Sequence, residues 1–228
     1  MKEKHWNIFY YFLFIILASH TNYTASFCSS TTCIGEETPY QSSIVTVLYP
    51  FDGNTNSVSG SSTGTLFGSG IPTVTNIGYN GQSLSVTHTS FQYAVIPSLQ
   101  FAQTSFTLQM IIYPISLTAP TEAGIFGQCD TSSVCFAIVM RNGRIAVSLD
   151  SANSSATWLS ASRILGTSVW IHVTIVYDAT ISQLRIYING VIDAVSFGIV
   201  SPYQGVTSGA TTTSGRVTTS SGFSYFYG

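Results

Sequence analysis

The sequence predicts an all-β protein of antiparallel strands, arranged as a sandwich or a barrel. From Ser43 onward, short runs rich in Val, Ile, Thr, Phe and Tyr recur every eight to twelve residues, separated by Gly, Asn, Ser and Pro. No run keeps a helical period over ten residues or more. Asn142-Gly143 lies between two apolar runs, and this pair favours a hairpin because both central residues of a type I′ turn take positive φ.

The predicted strands follow one another along the whole domain. In order they are SIVTVLYPF, SLSVT, YAVIP, SFTLQMIIYP, GIFGQ, CFAIVM, RIAVSLD, WIHVTIVYD, LRIYIN and FSYFY. The stretch GQCDTSSVCF predicts a second hairpin just ahead of the one at Asn142.

Charged side chains are scarce and scattered. They make up 7% of the 228 residues, against about 25% in a typical soluble domain. The only lysines are Lys2 and Lys4, and the five arginines are dispersed. Because nucleic-acid binding relies on clustered Lys and Arg, we expect no nucleic-acid partner.

The N-terminus predicts a signal peptide over residues 1–26. A short basic start precedes an apolar run of eleven residues, Ile8 to Ala18. This run is shorter than the roughly 20 residues that span a bilayer, and an uncleaved signal anchor is the competing interpretation. We expect no membrane span beyond it, a Ser/Thr-rich arm over 27–42, one domain over 43–228, and a secreted chain or the start of a larger ectodomain.

Cysteine usage agrees with an oxidising compartment. The four cysteines form two close pairs, Cys28 with Cys33 and Cys129 with Cys135. Of the three possible connectivities, local pairing is the simplest. A zinc site is the alternative, but neither pair has CxxC spacing and no histidine lies near either.

Two Asn-X-Ser/Thr sequences predict N-glycosylation. Asn153-Ser-Ser lies inside the predicted domain, and Asn22-Tyr-Thr is an acceptor only if it survives leader cleavage. Both agree with a secreted glycoprotein.

Four pieces in a fixed order carry a family resemblance. They are YPFDGN, then YNGQSLSV with YAVIPSL, then SFTLQMIIYP, then WIHVTIVYD with LRIYINGV. Together they resemble the laminin-G-like jelly-roll domains of the concanavalin A-like lectin/glucanase superfamily, over about Ser43 to Gly228. The resemblance implies a two-sheet antiparallel β-sandwich. It implies no single function, since this superfamily includes lectins, adhesion modules, pentraxin-like binders and glycosidases.

The chain departs from that family pattern at its C-terminus. Domains of this kind end with a strand resembling Tyr-Ile-Asp-Asp-Val, which pairs back near the opening strand, whereas this chain stops at FSYFYG. We expect a domain truncated at its C-terminus, because an unpaired apolar edge invites aggregation. Unusual closure of the domain is the alternative.

Catalytic chemistry finds little support in the sequence. His172 and Asp178 share a face of one predicted strand, but six residues separate them by about 20 Å. A glycosidase needs two carboxyl groups about 5 to 9.5 Å apart, and no Glu-x-Asp-x-x-Glu pattern resembling that of the family's glucanases is present. No GxSxG nucleophile elbow is predicted, because the one match to this pattern, GSSTG at Gly60 to Gly64, leads into no predicted helix. We therefore expect no enzyme activity.

Four residues are candidates for binding a metal or a ligand. Asp52 with Asn54 would hold calcium at the sandwich rim, as in some domains that this one resembles; otherwise Asp52 caps the turn after the first strand. Trp158 and Tyr203 lie in loop-like contexts and could stack on a sugar, with core or rim packing as the alternative.

Two functions from different classes follow. The first is a secreted, non-catalytic module that binds glycan or extracellular protein through its loops. The second is a polysaccharide hydrolase of the same fold. A purely architectural domain of a larger ectodomain is a further alternative.

Overall fold

The computed structural model describes residues 8–15, 46–58, 62–69, 73–75, 78–79, 81–99, 101–117, 122–129, 135–149, 158–196, 203, 205, 211–219 and 222–225. These residues form seventeen strands and one 3₁₀ turn at His88–Ser90. The strands are β1 (Ile8–Ile15), β2 (Thr46–Tyr49), β3 (Thr65–Phe67), β4 (Thr73–Thr75), β5 (Ser83–Val86), β6 (Tyr93–Ile96), β7 (Phe106–Tyr113), β8 (Ala123–Cys129), β9 (Cys135–Arg141), β10 (Arg144–Leu149), β11 (Trp158–Ser160), β12 (Ile171–Asp178), β13 (Gln183–Ile188), β14 (Val191–Val195), β15 (Thr211–Ser214), β16 (Arg216–Thr219) and β17 (Gly222–Tyr225).

Two large antiparallel sheets make up the molecule, which confirms the predicted β-sandwich. The eight-stranded sheet has the order β14-β13-β12-β7-β1-β5-β4, with β2 paired to β1. The seven-stranded sheet has the order β11-β10-β9-β8-β15-β6-β3, and β16 with β17 forms a separate two-stranded sheet. Within the described ranges, no helix is long and apolar enough to cross a bilayer.

Strict alternation of side chains builds the core. Along β7 and β12, every second side chain points to the other sheet and is buried. The buried set is Phe106, Leu108, Met110 and Ile112 on β7, and Ile171, Val173, Ile175 and Tyr177 on β12. The predicted WIHVTIVYD strand therefore turns its apolar face into the core. Fully burying one side chain of this size contributes about 1.5–3 kcal/mol.

Aromatic rings from both sheets meet at the centre. The Phe101 ring lies 4.8 Å from the ring of Phe106 on β7 and 5.2 Å from that of Phe136 on β9. Phe126 on β8 contacts the same Phe136 ring at 5.2 Å. These edge-on and tilted contacts are the geometries that aromatic pairs prefer.

The predicted Asn-Gly hairpin turn is confirmed. Asn142 has φ 48° and Gly143 has φ 72°. The flanking residues Arg141 and Arg144 are directly paired across β9 and β10. Asn189-Gly190 uses the same geometry between β13 and β14, with φ 52° and 77°.

Strand β1 is an unexpected member of the eight-stranded sheet. It consists of the apolar run that the sequence assigns to the core of a leader. In the structure it pairs with β5 on one side and β7 on the other, and its second half pairs with β2. The assignment of residues 1–26 to a leader stays a prediction, and leader removal would take β1 out of the sheet.

A hairpin lies across the outer side of the seven-stranded sheet. The chain reverses at Gly215, whose φ is 85°, and β16 then runs over β8. A Cβ atom at Gly127 of β8 would lie 3.1 Å from the carbonyl oxygen of Arg216 and 3.2 Å from Cα of Val217. A glycine at position 127 is therefore what lets β16 approach.

We predict that Gly127→Ala lowers the free energy of unfolding by about 1–3 kcal/mol, because the added methyl group overpacks this contact. Gly64→Ala is the matched control, since a Cβ there meets no atom closer than 3.4 Å. The control should change stability by less than about 0.5 kcal/mol. Urea unfolding of both variants provides the measurement, and equal effects would contradict the close approach of β16.

Candidate functional site

Two loops of the eight-stranded sheet contact each other where β2 ends and β5 begins. The first follows β2 and contains Asp52, whose Oδ1 accepts a hydrogen bond from the backbone N–H of Gln82 at 3.1 Å. The second loop precedes β5 and turns at Gly81, whose φ is 79°. A Cβ at Gly81 would lie 3.1 Å from Oδ1 of Asp52. The carboxylate therefore fixes the second loop against the first.

Three aromatic side chains cluster on the eight-stranded sheet, and Tyr79 links them to the second loop. Tyr113 ends β7, and Trp170 directly precedes β12. The register that pairs Ile112 with Ile171 brings their rings to 5.0 Å. Tyr79 contacts Trp170 edge-on at 6.3 Å and is 64% exposed.

Tyr79 connects the aromatic cluster to the Asp52 loop, because it lies on the same loop as Gln82. Tyr79 is three residues from Gln82, so the two are at most about 10 Å apart along the chain. We call the group Asp52, Tyr79, Gln82, Tyr113 and Trp170 the rim site. It combines exposed aromatic area with a carboxylate and an amide, which is the mixture that small-molecule sites use.

His172 lies next to the rim site on the outer face of β12. Its backbone N–H donates to Oδ1 of Asn189 at 2.9 Å, and its Nε2 lies 3.4 Å from the Thr174 hydroxyl. Burial lowers the pKa of His172 below its ordinary value of 6.5. Desolvation disfavours the charged imidazolium, so the neutral ring predominates in the folded chain at neutral pH.

The predicted calcium ligands are placed as follows. Asp52 holds the Gln82 turn, and Oδ1 of Asn54 accepts the backbone N–H of Asn56 at 2.8 Å. No group of three or more His, Cys, Asp or Glu side chains that could hold a metal occurs among the described residues. Calcium takes six to eight oxygen ligands, so Asp52 and Asn54 would need several more oxygens to complete a site. The calcium site stays a prediction.

Trp158 lies on the outer face of the seven-stranded sheet, whereas the rim site belongs to the eight-stranded sheet. The guanidinium carbon of Arg141 sits 3.9 Å from its ring centre, in a cation–π contact. Arg141 is fixed there by Glu122, which accepts hydrogen bonds from Nε at 2.8 Å and from an NH2 group at 2.6 Å. One face of the indole is therefore occupied by Arg141. A sugar contact at Trp158 stays a prediction.

Tyr203, the other predicted ligand-stacking residue, is buried. It is 1% exposed, and its ring lies 5.9 Å from that of Phe136. Its hydroxyl donates to the carbonyl oxygen or Oε1 of Gln128, at 3.3 and 3.2 Å. Gln128 is itself fully buried and needs such partners. The Tyr203 ring has no open face for a sugar, so it is not part of the rim site.

The predicted cysteine and glycosylation sites are described only in part. Cys129 is disulfide-bonded. The β8–β9 register places Cys135 directly opposite Cys129. The backbone therefore favours a disulfide between these two residues, which stays a prediction. Cys28, Cys33, Asn22 and Asn153 lie outside the described residues.

Sequence analysis did not identify Tyr79, Tyr113 or Trp170 as site residues. Three separate segments contribute the three rings, so no local sequence motif predicts the cluster. One local signal was present: Tyr79 directly precedes an Asn-Gly turn. Side chains beside such turns lie at a sheet end, where they are exposed.

Comparison with known proteins identifies the type of fold. The family model described as the concanavalin A-like lectin/glucanases superfamily matches residues 88–228. Domain 4 of AbnA, a GH43 extracellular arabinanase from Geobacillus stearothermophilus solved in complex with arabinotriose, is 17% identical with a TM-score of 0.51, over 79% of this chain and 83% of that chain. A heptameric SAP-like pentraxin from Limulus polyphemus is 18% identical with a TM-score of 0.37, over 48% and 51%. No curated protein sequence matches this chain.

We predict that Asp52→Ala lowers the free energy of unfolding by about 1 kcal/mol, because the Gln82 N–H loses its acceptor. Thermal unfolding of both proteins in calcium and in EDTA tests the metal prediction in the same experiment. A calcium-dependent rise in Tm that the variant loses would support Asp52 as a ligand. Equal Tm values in calcium and EDTA would remove the calcium site.

We predict a pH-dependent contribution of His172 to stability. Its folded pKa lies below the unfolded value of 6.5, so the unfolded chain binds this proton more tightly. The contribution is complete above about pH 6.5 and is lost as pH falls toward the lowered folded pKa. Urea unfolding between about pH 5 and about pH 8 should show a weaker pH dependence for His172→Gln. An unchanged pH profile would contradict the assignment.

Proposed function

The chain belongs to the concanavalin A-like lectin/glucanases superfamily, and from this membership we propose that it is a secreted, non-catalytic module that binds glycans through the rim site. The observation that carries the proposal is the aromatic cluster of Tyr79, Trp170 and Tyr113 beside the Asp52–Gln82 contact. Tyr79 belongs to the same loop as Gln82, so the chain links the aromatic rings to the polar groups.

The chemistry of the rim site suits a sugar ring. The C–H groups on one face of a sugar are apolar and pack on an aromatic ring, and the hydroxyl groups at its edge need hydrogen-bond partners. Tyr79 offers the exposed ring, and Trp170 and Tyr113 support it from the sheet side. Asp52, which holds the loop of Tyr79 through the Gln82 N–H, is the nearby polar group that we propose for the sugar hydroxyls. Tyr and Trp combine an apolar ring with a polar group at one end, so they are typical of binding sites that are partly exposed to water.

The carboxylates of the described residues support binding rather than hydrolysis. There are four: Asp52, Glu122, Asp178 and Asp193. Arg141 binds Glu122, the Gln82 N–H binds Asp52, and the N–H groups of Ser162 and Arg163 bind Asp193. Hydrogen bonds from Thr180 lower the pKa of Asp178, whereas a general acid needs a raised pKa.

Secretion is the second part of the proposal. It rests on the predicted leader over residues 1–26, on the disulfide-bonded Cys129, and on the glycosylation sequence at Asn153. Disulfide bonds persist mainly in oxidising compartments. An extracellular location would give the module access to cell-wall or cell-surface glycans.

The choice of first ligand follows from a structural relative. Domain 4 of the arabinanase was solved with arabinotriose, so arabinan and arabinotriose are the first probes, followed by xylan and β-glucan. Incubating the same polysaccharides with the protein and measuring released reducing ends tests the hydrolase alternative. Release above the background of a heat-denatured sample would contradict the non-catalytic part of the proposal.

We predict that Tyr79→Ala weakens glycan binding by about tenfold or more, because the ring that the sugar stacks on is removed. Affinity electrophoresis through gels containing each polysaccharide ranks the ligands, and calorimetry with the best oligosaccharide gives Kd.

Two variants serve as controls. Phe67→Ala removes another exposed aromatic ring, which is 42% exposed on β3 of the other sheet, and should leave Kd unchanged. Tyr203→Phe removes a buried hydroxyl and should lower stability by about 1–2 kcal/mol without changing Kd. Loss of binding in Phe67→Ala with none in Tyr79→Ala would move the site to the seven-stranded sheet. No binding of the wild type to any glycan would overturn the function.

A further inference from the structure

Two arginines stand opposite each other on the outer face of the seven-stranded sheet. Arg141 and Arg144 flank a hairpin turn and are directly paired across β9 and β10. Their neighbours Met140 and Ile145 are buried in the core, so both arginines point to the outer face. Side chains paired in this way have Cβ atoms about 4.5–5.5 Å apart, and like charges at that position destabilise the sheet. The fold therefore keeps a repulsion that one neutral residue would remove.

Only one of the two guanidinium groups is compensated by a carboxylate. Glu122 accepts hydrogen bonds from Nε and Nη2 of Arg141, at 2.8 and 2.6 Å. In the part of the chain that the structure describes, no carboxylate or other hydrogen-bond acceptor contacts the half-buried side chain of Arg144. With two guanidinium groups and one carboxylate, this row of side chains carries one uncompensated positive charge.

The neighbouring groups hold Arg141 in place and add a hydroxyl. Its guanidinium lies against the ring of Trp158, which itself packs on the buried outer-face cluster that includes Ala146. Both bonds to Glu122 leave the Nη1 amino group of Arg141 unused. Ser160 is exposed and paired with Ala146, so it is the diagonal neighbour of Arg144 at about 7–8 Å. Donors fixed in this way lose little entropy when they bind a ligand.

The ligand chemistry that suits these groups is a planar anion with one negative charge. Guanidinium groups bind carboxylates through parallel N–H bonds, because the two planar groups match in shape. One carboxylate would also neutralise the single excess charge. A uronic acid carries such a carboxylate beside hydroxyl groups that Ser160 can hydrogen-bond, whereas a neutral sugar would leave the charge uncompensated.

We propose that Arg144, Nη1 of Arg141 and the Ser160 hydroxyl form a subsite for the carboxylate of a uronic-acid residue in an acidic glycan. The subsite belongs to the seven-stranded sheet and the rim site to the eight-stranded sheet, so it binds a different class of glycan independently of the rim site. Because the carboxylate offsets the repulsion between the two arginines, binding also stabilises the fold.

The test uses the full chain and two ligands that differ only in charge. Calorimetry compares an oligogalacturonate with the same oligosaccharide after methyl esterification of its carboxyl groups. The wild type should bind the acidic form at least about tenfold more tightly at low salt, and this preference should shrink at high salt. Only the acidic form should raise Tm.

Arg144→Gln should abolish the preference for the acidic ligand. Without ligand, the Tm of this variant should equal or exceed that of the wild type, because the like-charge pair is gone. Arg185→Gln is the matched control. It removes the same charge from a half-buried arginine on β13 of the other sheet, whose Nε donates to Oε1 of Gln183 at 2.6 Å, and it should keep the preference.

Three results would overturn the proposal. The first is equal affinity of the wild type for the acidic and the esterified ligand. The second is an equal loss of preference in Arg144→Gln and Arg185→Gln, since net charge alone would then explain it. The third is tighter Arg144-dependent binding of dextran sulfate, which would contradict a carboxylate subsite. Tyr79→Ala should keep the preference, so failure of the rim site and failure of this subsite give different results.

Discussion

The alternation of side chains along β7 and β12 is the constraint on which the rest of the structure depends. These strands are paired over seven residues, and their inward side chains bury against the other sheet. Since successive residues point to opposite faces, the same register sends Tyr113 and His172 outward. A slip of one residue would bury those two and expose Ile112 and Ile171. The core and the rim site are therefore fixed by one pairing.

A buried polar group imposes the second constraint. Gln128 is fully buried on β8, and its Nε2 donates to the carbonyl oxygen of Leu99 at 2.6 Å and to the Thr212 hydroxyl at 3.2 Å. The Tyr203 hydroxyl donates to the carbonyl oxygen or to Oε1 of Gln128. Leaving one of these groups without a partner would cost about 1–3 kcal/mol. The network thus links three segments that are distant from β8 in sequence to that strand. It also explains why Tyr203 is buried in the core although its sequence context is loop-like.

What the sequence could and could not predict follows from the range of the interactions. Strand alternation and the Asn142 turn depend on neighbouring residues, so both were predicted and are confirmed. The burial of Tyr203 depends on a glutamine 75 residues away, and the rim cluster joins three segments, so neither has a local signature. Strand β1 shows a different difficulty. An uncharged apolar run of this length is typical both of a signal-peptide core and of a strand buried on both faces, and composition alone does not separate them.

Strand β1 and the rim site are connected through the geometry of the sheet. Tyr79 and Gln82 lie on the loop that leads into β5, whereas Tyr113 and Trp170 belong to β7 and the start of β12. Strand β1 lies between these two halves, and its Phe9 is paired with Tyr113 and with Ser85 of β5. Strand β1 therefore sets the spacing between the two halves of the rim site. On this argument β1 positions the aromatic rings from within the sheet, although it contributes no residue to the rim site.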